Sequence, residues 1–184
     1  SNDYSNNIFF KILQKIDSFN CHNSDIVLVH SEDMKNTLKN RIGFKKSNIL
    51  IMNNFAKASK KFSKNNHSFS KKNENNFKII YTGNIGRFQC LDEIVNSMVQ
   101  LKNHKKIELV IIGEGVLKEK LKKLIYKNNV NIKLLNYMPE NEIFDQISKS
   151  DIGLVPLMKN MYKYAYPSKT MSYLSQGKPI IAIV

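Results

Sequence analysis

Residues 164–180 read YAYPSKTMSYLSQGKPI. Pro167, Ser168 and Lys169 precede a short run of helix formers. Gly177 follows the run, and an apolar segment over 179–184 follows at once. Proline suits the first helical turn, where its missing N–H is no loss, and Ser168 can cap the helix start. Gly177 supplies the left-handed conformation that ends helices. The stretch therefore predicts a helix over 168–176 and a strand over 179–184. Such a start serves either packing alone or an anion, because free N–H groups, the positive end of the helix and the Lys169 charge converge there.

The same alternation runs through the preceding residues. FKIIYT (77–82), IELVII (107–112), residues 132–135 and DIGLVPL (151–157) are apolar runs of strand length. Residues 91–101, 116–126 and 140–148 carry helical spacing, the last with Ile143, Phe144 and Ile147 on one face. Strands alternating with helices predict an α/β fold, a parallel sheet with right-handed crossovers. Ligands in such sheets sit beyond the carboxyl ends of the strands.

Nearer the N-terminus, Ile8, Phe9, Ile12, Leu13, Ile16 and Phe19 recur at helical spacing and predict a core-facing helix over 5–19. Residues 26–29 predict a buried parallel strand. Ser31 reads as an N-cap, with Glu32 and Asp33 favouring the dipole, for a helix running to about Arg41 and stopping at Gly43. Residues 47–52 predict a further strand. The segment 56–76 is rich in Lys, Ser and Asn and nearly free of apolar residues, which predicts a linker. The expected division is a lobe over 1–55, the linker over 56–76 and a second lobe over 77–184.

Composition narrows the function classes. The 184 residues are 42% hydrophobic, enough for a globular core. No apolar run reaches the length that spans a bilayer. Cys21 and Cys90 form no CxxC pair, and the four histidines are scattered, so neither a disulfide framework nor a metal site is expected. The net charge of +14 favours anionic partners, yet arginine stands only at Arg41 and Arg87. Surfaces that read phosphates and bases favour arginine. The excess of Lys and Asn together is better read as compositional bias than as a nucleic-acid interface, with attraction to a membrane surface as its main functional rival.

Four loops at expected strand ends can carry chemistry. TGNIGRFQ (82–89) offers Gly83 and Gly86 for close backbone approach and Arg87 as a phosphate fork. Gly113-Glu114-Gly115 follows IELVII, but no third glycine makes it a dinucleotide fingerprint. Tyr137, Met138 and Pro139 form a turn that could offer backbone groups to a planar base. The fourth is the Pro167-Ser168-Lys169 start.

In their order, GNIGRFQ, VIIGEG, NYMP, DIGLVP and PSKTMSYLSQGKP resemble the donor-binding lobe of GT-B glycosyltransferases, the family 4 group that builds bacterial surface sugars. Upstream, SDIVLVHSEDM and ILIMNNF look like the last strands of the acceptor lobe. The resemblance implies a Rossmann-like parallel sheet with helices on both faces, plus a partial N-terminal α/β lobe. It implies transfer of a sugar from a nucleotide-diphosphate sugar, UDP-linked by preference, to a glycan or lipid-linked acceptor with retention. Gly86, Arg87, Ser168 and Lys169 would lie at the diphosphate and Tyr137, Met138 and Pro139 near the base. Gly83, Gly113, Gly115 and Ser172 would line the rest of the donor crevice. It further implies no metal or other cofactor, no nucleic-acid partner, and a cytoplasmic place with peripheral contact at the inner membrane face. Two glutamates common in the family fall on Tyr164 and Ser172, and its loop lysine falls on Gln89 and Cys90. These departures, and an acceptor lobe and C-terminal end that look incomplete, make the isolated chain an expected fragment without transfer activity. They leave a partner-dependent sugar-nucleotide-binding subunit, or a nucleotide-sugar epimerase, as alternatives.

Overall fold

The computed structural model describes residues 8–41, 48–55, 76–159, 161 and 164–183. The chain divides into two compact units, Ser1–Asn54 with Tyr162–Tyr166, and Phe55–Met161 with Pro167–Val184. Residues 56–75 of the expected linker, and the expected stop at Gly43, lie outside the described residues.

The first unit holds α1 (Ile8–Asn23), β1 (Val27–Val29), α2 (Glu32–Lys39) and β2 (Ile49–Ile51). β1 and β2 pair in parallel, with Val27 opposite Ile49. Ser31 caps α2 as its sequence predicts: its hydroxyl accepts the Met34 N–H at 3.2 Å. Leu38 and Ile49 form a small core, joined by Cys21, Val27 and Val29.

Two expectations need correction here. α1 is helical, but it buries no residue, and Ile8, Ile12, Leu13, Ile16 and Phe19 are exposed. β1 is not buried on both faces: Leu28 is exposed, as is Leu50 beside it on β2. Periodicity tells which side of an element is apolar. It does not supply the layer that covers that side.

The second unit holds β3 (Phe77–Thr82), α3 (Leu91–Gln100), β4 (Ile107–Ile112), α4 (Lys118–Asn128), β5 (Ile132–Leu135), α5 (Glu140–Ser148), β6 (Ile152–Pro156), α6 (Lys169–Ser175) and β7 (Ile180–Ile183). The strands form a five-stranded sheet in the order β5-β4-β3-β6-β7. Every pairing is parallel. The continuous apolar runs are explained by burial on both faces. Tyr81, Leu109, Ile111 and Leu154 pack towards Leu91, Val95, Met98 and Leu121 of α3 and α4. Their neighbours Ile80, Val110, Ile112 and Val155 pack with Ile147 of α5 and Tyr173 of α6. A buried Leu or Ile of this kind contributes about 1.5–3 kcal/mol.

Polar groups fix the central register. Asp151 accepts the Lys78 N–H at 2.8 Å, while its own N–H reaches the Lys78 carbonyl at 2.9 Å. Glu108 is buried on β4 but paired with Lys133 at 2.6 Å and Lys78 at 3.9 Å. The strand order places a switch point between β3 and β6, because the chain builds outward through β4 and β5 and then returns to the other side of β3. Crevices for ligands form beyond the carboxyl ends of strands at such points.

Candidate functional site

The β3 and β4 loops meet first. Gly83 and Gly113 each adopt positive φ, at 140° and 158°. A Cβ on Gly113 would stand 1.9 Å from the Gly83 carbonyl oxygen, so the two strand ends touch backbone to backbone. Gly115 repeats the approach one turn on, where a Cβ would lie 2.4 Å from the Ile85 carbonyl oxygen. The Gly83 N–H donates to the Ile112 carbonyl at 2.9 Å and the Ile85 N–H to the Glu114 carbonyl at 2.7 Å, extending the ladder into the loops.

Gly86 opens a 3-10 turn over Arg87–Gln89. Its N–H donates to Gln89 Oε1 at 3.1 Å, so this amide is satisfied within the loop. Arg87 is exposed, and its guanidinium makes no hydrogen bond or ion pair among the described residues. The Met158 N–H, after β6, donates to the Phe88 carbonyl at 2.7 Å and joins the two strands of the switch point.

The helix start differs from its expected form. α6 begins at Lys169, one residue late, and Ser168 is already in the right-handed helical conformation with no side-chain cap bond. Its backbone carbonyl is used instead, accepting the Met171 N–H at 3.0 Å. Proline fixes its own φ near the helical value, so the turn starts without a side-chain cap. The helix ends as predicted. Gly177 takes φ 64°. Its N–H donates to the Leu174 carbonyl and the Lys178 N–H to that of Tyr173, a Schellman closure.

Lys169 lies against the β3 loop. A Cβ on Gly83 would stand 3.2 Å from Lys169 Cε and 3.7 Å from its Nζ. The ammonium has no hydrogen bond or carboxylate partner among the described residues, and burial lowers its pKa. On the same helix, Tyr173 is fully buried and its hydroxyl accepts the Thr82 N–H at 2.9 Å. Burial holds that phenol's pKa up at about 12. Ser172 is half-buried, and its carbonyl accepts the Ser175 hydroxyl at 2.8 Å.

The β5 loop is tied to the β4 loop by Glu114. Its carboxylate accepts Lys118 Nζ at 2.6 Å and the Tyr137 N–H at 3.3 Å. The Lys118 bond is the main reason that its pKa is lowered, with the Tyr137 amide next. Lys118 also reaches Asn136 Oδ1 at 2.7 Å. Tyr137 is exposed, whereas Met138 is half-buried and packs against the core cluster that holds Ile80, Ile112 and Ile147. Pro139 caps α5, its carbonyl accepting the Glu142 and Ile143 N–H groups at 3.0 Å.

Gly83, Gly113, Gly115, Lys169 and the Tyr137 backbone thus belong to one connected set of loop contacts. Gly86 is held in the β3 loop by Gln89, and no hydrogen bond joins the Arg87 or Ser168 side chain to that of Lys169 among the described residues. Sequence reading missed Glu114, Tyr81 and Tyr173. The glutamate is flanked by the glycines that draw attention. The tyrosines lie within an apolar run and a helical run, although a phenol in a buried run must find a hydrogen-bond partner. No group of three His, Cys, Asp or Glu that could hold a metal ion occurs among the described residues.

A doubly wound parallel sheet with glycine-bearing loops at its switch point defines a Rossmann-like ligand-binding unit. The sequence pattern of the glycosyl transferases group 1 family matches residues 62–184, the greater part of the chain. The chain belongs to that family. It is 26% identical over 182 residues to the probable glycosyltransferase WbjE of Pseudomonas aeruginosa, covering 96% of this chain and 45% of the relative. A point mutant of S. aureus TarM, solved with fondaparinux, alpha-GlcNAc-glycerol and UDP, superposes with a TM-score of 0.69 at 17% identity. That match covers 92% of this chain and 32% of TarM. Anabaena Alr3699/HepE, solved with UDP-glucose, also superposes at 0.69, with 11% identity, over 91% of this chain and 47% of HepE. At these identities the structural likeness shows the fold, that of GT-B glycosyltransferases. The chain spans less than half the length of each of these relatives.

Proposed function

We propose that the protein transfers a sugar from a nucleotide-diphosphate sugar to a glycan or lipid-linked acceptor, and that the β3–β4–α6 crevice receives the donor. The observation that carries the reading is Lys169. Its half-buried side chain lies beside Gly83, with no carboxylate partner among the described residues. An uncompensated cation at a strand-end crevice is poised for an anion. When the sugar departs, negative charge grows on the diphosphate, and preplaced cations stabilise that charge where water is excluded. Lys169 takes this role, with the uncommitted fork of Arg87 added from the β3 loop. The exposed Tyr137 and its loop serve the base. Family membership supports transfer over epimerisation or mere binding. UDP is the favoured nucleotide, since TarM and HepE were both solved with UDP or UDP-glucose. Metal-free chemistry and retention belong to this reading through the family resemblance. So does a cytoplasmic place at the membrane face, where lipid-linked acceptors are presented.

Calorimetric titration of the chain with UDP, GDP and ADP, beside Lys169→Ala and Arg87→Ala, tests it. Saturable binding of one nucleotide, weakened about tenfold or more in each variant, is expected for lost charge-assisted contacts. Binding unaffected by Lys169→Ala would remove the site from this crevice.

A further inference from the structure

Beneath the Lys169 ammonium lies the ring of Tyr81, with 5.2 Å between Nζ and the ring centroid. Tyr81 is fully buried in β3, yet its hydroxyl donates to the Asn84 carbonyl at 2.6 Å. One side chain therefore touches both walls of the crevice. The hydroxyl holds the loop that follows β3, and the ring meets the lysine that opens α6. Tyr173 closes the arrangement from α6, its hydroxyl bonded to the Thr82 N–H between Tyr81 and Gly83.

The groups around Lys169 make the choice of an aromatic support informative. The first turn of α6 contains no acidic residue. Tyr81 meets the ammonium from β3, and Tyr173 lies within electrostatic reach of Tyr81. Both phenols are held neutral by burial. A carboxylate here would cancel the lysine charge and compete with an anionic ligand. An aromatic face attracts an ammonium through its quadrupole and leaves the charge intact.

We propose that Tyr81 is the positioning residue of this crevice: its ring seats the Lys169 ammonium without neutralising it, while its hydroxyl fixes the loop opposite. The seat is a matter of Tyr81 and Lys169 alone, and its service to a diphosphate rests on the donor reading above.

The two are separated by measuring Lys169 directly. The pH titration of its 13Cε signal, in the full chain without nucleotide, is compared among wild type, Tyr81→Phe and Tyr81→Leu. Nucleotide affinity is then measured on the same proteins with UDP, and repeated in a Lys169→Met background. Tyr81→Phe keeps the ring and is expected to keep the Lys169 midpoint. Tyr81→Leu is expected to move that midpoint to lower pH and to weaken UDP about tenfold, with no loss in the Lys169→Met background. A midpoint indifferent to Tyr81→Leu overturns the proposal, as does an equal loss of affinity when Lys169 is already absent. Should the leucine variant not fold, progressively fluorinated phenylalanines at position 81 keep the shape while weakening the negative ring face. The midpoint is then expected to fall with each fluorine, and a constant midpoint overturns the proposal. A wild-type chain that binds no nucleotide, but whose Lys169 midpoint follows the ring, retires the donor reading and leaves the seat in place.

Discussion

Gly113 and Gly83 are in backbone contact: a Cβ on the first would lie 1.9 Å from the carbonyl oxygen of the second. No rotamer relieves such a clash, because the intruding atom and its neighbour are both fixed by the main chain. Gly113 also has φ 158°, which L side chains rarely adopt. Gly113→Ala is expected to destabilise the chain by about 3 kcal/mol through overpacking and backbone strain. Urea unfolding of the variant checks this; a loss below about 1 kcal/mol would mean that the two loops can part freely.

Tyr173 is the pin between α6 and β3. Removing its hydroxyl strands the Thr82 N–H in a buried setting. Tyr173→Phe is expected to lower stability by about 1–3 kcal/mol, the penalty for a buried unsatisfied donor. Thermal melting measures it. Hydrogen exchange should show the Thr82 amide opening faster, with the Ile111 amide, deep in β4, changed less.

Alkaline pH should act on the phenols and on Lys169 in opposite senses. Tyr173 has a folded pKa of about 12 against 10.0 unfolded, so its contribution is full below pH 10 and is lost as pH rises to about 12. Tyr81 is shifted upward as well, in the same sense. Lys169 is shifted downward, so its penalty is present at neutral pH and is relieved as pH rises towards the unfolded value of 10.5. Denaturation followed from neutral pH to about pH 12 is therefore expected to show the Lys169 gain ahead of the phenol loss. Lys169→Met should shrink the early rise and leave the part that Lys178, also lowered by burial, supplies.

Binding of a diphosphate should raise the lysine pKa again. Near the midpoint of free Lys169, complex formation then takes up a proton. The observed heat is expected to depend on the ionisation enthalpy of the buffer, and Lys169→Met should remove that dependence. Heats that agree across buffers over the whole range would place the anion elsewhere.

In the first unit, Ser31→Ala removes the side-chain acceptor at the start of α2. A loss of about 1 kcal/mol is expected from denaturant unfolding of that unit. Ser31→Asp should retain most of the stability, because its carboxylate can accept the same N–H.

Much of the second unit was legible because its signals are local. Phe77–Thr82, Ile107–Ile112 and Ile132–Leu135 announce themselves as apolar runs between turn residues, and they are strands to the residue. Gly177 marks a helix end because only a residue at ease with positive φ closes that turn. Less of the crevice could be read. Glycines identify where backbone comes close, but they do not say that Gly113 meets Gly83. Met138 stands in a loop motif and goes to the core, since a half-buried thioether gains more from an apolar cluster than from water.

The alternation of strand and helix, the carboxyl-end loops and the Ser31 cap follow from residues within a turn of one another, so the amino-acid order carries them. The return of β6 to the side of β3, and with it the seat of Lys169 over Tyr81, came from long-range packing. The Tyr173 bond to Thr82 spans 91 residues, and no local pattern encodes a pairing of that range. The apolar stripe of α1 shows the same divide. Its spacing made the helix, but the partner of that face is a property of packing, which spacing does not carry.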